Sequence, residues 1–167
     1  SNTNSMTISS TFGSGDLTNT GTLVFSGANN SSPITNNGTF NISGASTNTA
    51  TITNNTANMS ISAALLGGGT IANTATGTLE LATNAANAND ITNASSGNVN
   101  ITGNNVTNTG AVSNSGTLTL TGSLSGAGVV TNNLGGTVVF SGGASANASP
   151  ITNNGTFNVN GASTNTG

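Results

Sequence analysis

The sequence predicts an all-β fold, a right-handed single-stranded parallel β-helix (β-solenoid) of about nine turns with about 19 residues in each. Three observations lead there: a tripeptide recurs at near-constant spacing, apolar residues alternate after each copy, and charge is almost absent. The tripeptide is aliphatic, small, Asn. It stands at Leu17-Thr18-Asn19, Ile34-Thr35-Asn36, Ile52-Thr53-Asn54 and Ile71-Ala72-Asn73. It returns at Ile91-Thr92-Asn93, Val112-Ser113-Asn114, Val130-Thr131-Asn132 and Ile151-Thr152-Asn153. Successive copies lie 17, 18, 19, 20, 21, 18 and 21 residues apart. Asn makes up 31 of the 167 residues, too few for chance to place it at this spacing eight times running.

A few residues after each tripeptide comes Gly, then a polar residue, then two alternating apolar positions. The first apolar column reads Met6, Leu23, Phe40, Met59, Leu79, Val99, Leu118, Val138, Phe157. The second reads Ile8, Phe25, Ile42, Ile61, Leu81, Ile101, Leu120, Phe140, Val159. Alternation is the strand signature, because successive side chains point to opposite faces. No stretch carries a 3.6-residue apolar period. A unit with two such short strands cannot bury its apolar face alone. Stacked copies can, each strand pairing with its equivalent about 4.8 Å away in the next turn. Crossover connections between parallel strands are right-handed in nearly all proteins. The expected rod is roughly 43 Å long at that spacing.

A longer period lies over the turns. Gly13-Ser14-Gly15, Gly67-Gly68-Gly69 and Gly126-Ala127-Gly128 recur at 54 and 59 residues, each after Phe12, Leu65 or Leu124. Pro33, Asp90 and Pro150 mark another corner, 57 and 60 residues apart. Residues 1–167 thus read as one domain of three super-repeats, each of three turns. Segments 33–49 and 150–166 differ only at Ile42/Val159 and Ser43/Asn160, as expected of duplication.

Composition narrows the function. The chain has no Lys, Arg, His, Cys, Trp or Tyr, and its charges are Asp16, Glu80 and Asp90. Nucleic-acid binding needs cations that displace phosphate counterions, and anionic membrane surfaces need them too. No apolar run approaches the ~20 residues of a membrane helix. Catalysis has no imidazole, thiol, side-chain amine or phenol to use. Glu80, between Leu79 and Leu81, is expected to face solvent, and Asp90 stands alone at its corner. Clustered acids, which calcium requires, are lacking. The reading is therefore of a non-enzyme without cofactor, metal or nucleic-acid partner.

The residues singled out are structural: Asn19, Asn36, Asn54, Asn73, Asn93, Asn114, Asn132 and Asn153. Between an inward apolar residue and a corner, their amides can hydrogen-bond along the axis as a ladder. The Gly-x-Gly sites lack the strand-to-helix context of a dinucleotide loop and read as corners. Asn-x-Ser/Thr triplets such as Asn37-Gly38-Thr39 arise by chance in such a composition. Outward Thr18, Thr35, Thr53, Thr92, Thr131 and Thr152 form one row, and Thr22, Thr39, Thr78, Thr117, Thr137 and Thr156 another. Such rows carry the alternative of an ice-binding or glycan-binding face.

The turns of about 19 residues, the Gly-Thr-apolar-x-apolar strands and the Asn-rich corners resemble the repeats of filamentous-haemagglutinin-type and autotransporter passenger adhesins. The resemblance implies a secreted β-helix on a bacterial surface that supports adhesion or biofilm cohesion, with host or matrix glycans as partners. Ser1-Asn2-Thr3-Asn4 has neither the basic region nor the apolar stretch of a signal peptide, which implies a mature or excised form if the protein is exported. Asn2 falls in register with the Asn column, and Gly167 matches Ala50, so neither end reads as a polar capping turn. The expectation is an extracellular structural chain, either a stretch of a longer stalk or a unit that stacks head to tail into filaments.

Overall fold

A computed structural model of the chain describes residues 1–142 and 145–167. Every described element is a β-strand or a turn, and every strand pairing is parallel. The strands form three sheets, two of nine strands and one of eight. Each sheet is one long face of a parallel β-solenoid, and the chain visits the three faces in rotation.

The first face collects the strands of the repeated tripeptide, from Leu17–Asn19 and Ile34–Asn36 to Val130–Asn132 and Ile151–Asn153. The second face begins with Ser5–Ile8, Thr22–Ser26 and Thr39–Gly44, and ends with Thr156–Val159. The third begins with Thr11–Phe12 and Asn29–Asn30, and ends with Ser163–Asn165. Eight turns are complete. They are preceded by an opening turn whose first side is only a bridge from Asn2 to Asn19.

Like residues stack on like because a one-residue slip would turn every apolar side chain outward. Leu23 pairs with Phe40, Phe40 with Met59, Met59 with Leu79 and Leu79 with Val99. On the first face Leu17, Ile34, Ile52, Ile71, Ile91, Val112, Val130 and Ile151 are in register. Together these columns form a single thin core along the axis. Each buried Leu, Ile or Phe contributes roughly 1.5–3 kcal/mol. Within the core Phe25 and Phe40 meet edge to face at 4.8 Å and 78°.

The turn has three strands rather than the two read from the sequence. On the third face the buried inward positions include Ala28, Ser46, Leu65, Ala85, Val106, Leu124 and Ser145. Four of those seven side chains are small or polar, so no apolar alternation announces a strand. Pairing with the neighbouring turns supplies what side-chain hydrophobicity does not. Ala28 N–H, for example, donates to Ser46 Oγ at 3.1 Å, and Ser46 Oγ donates to Gly44 O at 2.8 Å.

Candidate functional site

No cleft or cavity opens among the described residues, and no group of three acids, thiols or imidazoles lies together among them. The concentrated chemistry is inside the wall. On the first face Asn19, Asn36, Asn54, Asn73, Asn93, Asn114 and Asn132 are buried to within 1% of full burial, while Asn153 in the closing turn is exposed. Strand pleating puts them there: the aliphatic residue two positions earlier points inward, so the Asn must as well.

Each amide donates one N–H to the Oδ1 of the next rung. From Asn2 through Asn19 to Asn153 the Nδ2 to Oδ1 distances are 2.7 to 2.8 Å. From Asn19 onward Nδ2 also reaches the carbonyl of the following corner at 2.9 to 3.2 Å, that of Gly21, Gly38, Ala57, Gly77, Gly97, Gly116, Gly136 or Gly155. Up to Asn132 it also meets a backbone carbonyl one turn on, such as Thr117 O at 3.1 Å from Asn93. A buried amide left unpaired costs about 1–3 kcal/mol; here every inner rung is paired. Ser163 Oγ is the one buried side-chain polar atom without a partner among the described residues.

The ladder has a direction. Every Nδ2 points toward the C-terminal end of the rod and every Oδ1 toward the N-terminal end. The amide dipoles therefore align and polarise one another, as in any hydrogen-bonded chain. The corner that follows must leave room for the amide. A Cβ on Gly77 would lie 2.7 Å from Asn73 Oδ1, which explains why Gly recurs after the tripeptide. Ala57 is the exception.

Comparison with family models, with curated proteins and with solved structures finds no match to this chain. The site has to be read from its own geometry.

A second ladder, not read from the sequence, runs along the third face. Asn30 donates to Asn48 at 2.7 Å, Asn87 to Asn108 at 2.8 Å and Asn147 to Asn165 at 2.7 Å, with the same polarity as the first. A signal was present, since Ser46-Thr47-Asn48, Val106-Thr107-Asn108 and Ser163-Thr164-Asn165 repeat the small-Asn pattern. Ser or Ala in place of the aliphatic residue hid most copies. Every third turn also lacks the rung, because Gly67 or Gly126 follows there.

Asn89 bridges one of these gaps. Its Oδ1 accepts from Asn48 Nδ2 at 2.8 Å, and its own Nδ2 donates to Leu65 O and Leu66 O at 3.2 and 3.3 Å. Ser32 and Ser149 hold the equivalent corners; Ser149 Oγ reaches only Gly126 O, at 3.2 Å. Asn89→Ser is therefore expected to leave the fold intact and cost about 1–2 kcal/mol. Native-state hydrogen exchange should show the loss as faster exchange at the corner after Leu66, and unchanged protection there would refute the bridging role.

The carboxylates stand apart from one another. Glu80 accepts from Thr102 Oγ1 at 2.7 Å and Asp90 from Ala111 N–H at 2.8 Å, so each ties its turn to the next. Asp16 is exposed. The outward Thr rows are in register along the rod, the first interrupted by Ala72 and Ser113 and the second by Asn58 and Asn98.

Proposed function

We propose that this chain is a non-catalytic structural element of an extracellular fibre, the stalk of a bacterial surface adhesin of the filamentous-haemagglutinin or autotransporter-passenger kind. The observation that carries the reading is the unbroken amide ladder, eight direct bonds in series beside a continuous core. The ladder ties each inner turn of the rod to the next, which suits a spacer that holds something away from a surface. Near-absence of charge permits close packing of neighbouring rods, in keeping with cohesion between cells. Adhesive contact with host or matrix glycans then belongs to the outward Asn and Thr side chains or to a partner carried at the tip.

Immunogold labelling of intact, unpermeabilised cells that make the protein tests the reading. Label on filaments projecting from the surface is the expected result. Label that appears only after permeabilisation would refute the stalk. Shaving with trypsin is uninformative, because the chain contains no Lys or Arg; a protease of broad specificity is required.

A further inference from the structure

The two inner gaps of the second ladder share one architecture. Gly67 lies over Asn48, and Gly126 lies over Asn108. In the turn that follows each glycine the register moves on by two residues. Asn87 pairs with Leu65 and Asn147 with Leu124, which brings Asn89 over Gly67 and Ser149 over Gly126. The gaps differ in what crosses them. Asn89 is long enough to meet Asn48 across the glycine, and Ser149 makes no such bond to Asn108.

Asn108 is left with an unspent donor. Asn48 Nδ2 uses both of its protons, one on Ala50 O and one on Asn89 Oδ1, each at 2.8 Å. Asn108 Nδ2 donates to Gly110 O at 2.5 Å and to no other group among the described residues. It is the one buried asparagine among them whose amide meets a single acceptor; Asn30, Asn87 and Asn147, for example, each meet two. Asn108 is 1% exposed and Ser149 fully buried, so bulk solvent reaches neither. A buried N–H without a partner is costly, and an internal water with two to four polar partners relieves that cost. We infer that a single buried water molecule is bound between Asn108 and Ser149 and serves there as the missing rung.

Space and chemistry both suit a water. Serine is two side-chain heavy atoms smaller than asparagine, which leaves room on the order of one water, about 30 Å³ in the liquid. Gly128 keeps the flank open, since a Cβ there would lie 2.7 Å from Asn108 Nδ2. The water oxygen accepts from Asn108 Nδ2. Its protons go to Ser149 Oγ, which itself donates to Gly126 O at 3.2 Å, and to the carbonyl of Leu124 or Ser125. Those carbonyls are the counterparts of Leu65 O and Leu66 O, which Asn89 Nδ2 reaches at 3.2 and 3.3 Å. The water thus makes the bonds that the Asn89 amide makes at the other gap. No carboxylate lines the site and one of its groups is a donor, so it selects a neutral molecule over a cation.

Exchanging the two corner residues supplies the test, and its result does not depend on where the protein acts. In Ser149→Asn the new amide should reach Asn108 as Asn89 reaches Asn48, and expel the water. In Asn89→Ser a second water should enter beside Asn48. Oxygen-17 magnetic relaxation dispersion of the full 167-residue chain counts the internal waters held for longer than the protein takes to tumble. Ser149→Asn is expected to hold one fewer than the parent and Asn89→Ser one more. An unchanged count in Ser149→Asn overturns the inference. Should Ser149→Asn fail to fold, Asn89→Ser decides alone: a gain of one water supports the rung, and no gain overturns it.

Discussion

Asn93→Leu is expected to destabilise the solenoid by roughly 1–3 kcal/mol, although leucine has the same branched arrangement of four side-chain heavy atoms as asparagine and the site is 1% exposed. The loss comes from the neighbours. Asn73 Nδ2 loses one acceptor and Asn114 Oδ1 its donor, and the carbonyls of Gly97 and Thr117 lose a partner each. Asn73 Nδ2 keeps Gly77 O and Asn98 O as acceptors, so the buried amide end left unpaired is Asn114 Oδ1, and about 1–3 kcal/mol for that group sets the range. Asn153→Leu is the control. Its side chain is exposed in the closing turn, so water replaces its lost partners and the cost should stay below about 1 kcal/mol. Urea denaturation of the two variants beside the parent chain makes the comparison. Equal midpoints for Asn93→Leu and the parent would remove the ladder from the account of stability.

Replacement of two adjacent rungs sharpens the result. Asn73→Leu with Asn93→Leu removes both partners of one bond, so the pair should cost less than the sum of the single changes. Solenoid turns contact only their neighbours, and a weakened rung should open locally before the whole rod melts. Hydrogen exchange would then show two protected blocks divided near residue 93, where the parent shows one.

The parts of the fold legible in the sequence are those written in large apolar side chains. Leu23, Phe40 and Met59 stack because alternation fixes which residues face inward and the repeat fixes what lies above them. The third face was not legible. Ala28, Ser46 and Ala85 bury as completely as leucine does, but nothing in a small or polar residue says which way it points. Their strands exist because the turns on either side hold them in register, which is a property of the stack and not of the segment. The Asn column of the first face could be located by spacing alone. Its one-way polarity could not, because amide orientation is set by which carbonyls the corners present. Asn89 was hidden for a related reason: its partner Asn48 is 41 residues away, across a turn that has no rung of its own.

Gly126→Ala should be among the most damaging single substitutions in the chain, above about 4 kcal/mol, and the glycine corners show why. Gly126 has a φ of +116°, a region that L side chains rarely adopt. Strain of that kind alone costs roughly 1–2 kcal/mol. Space is the second term. A Cβ here would run into the carbonyl oxygen of Asn108 in the turn below. That carbonyl cannot retreat, because it accepts from Gly128 N–H at 3.1 Å and belongs to a rung of the second ladder. The two turns would have to separate, and the bond from Ser149 Oγ to Gly126 O would open with them. Gly15 divides the two terms. Its φ is +80°, yet a Cβ built there finds nothing within 4 Å, so Gly15→Ala carries the strain without the collision. Thermal melts of both variants should leave Gly15→Ala close to the parent and lower Gly126→Ala by far more. Equal losses would mean that backbone strain, and not the close stacking of turns, makes glycine necessary at these corners. Gly67, with a φ of +101° and a Cβ path into the carbonyl of Asn48, should follow Gly126, because the super-repeat builds the same corner twice.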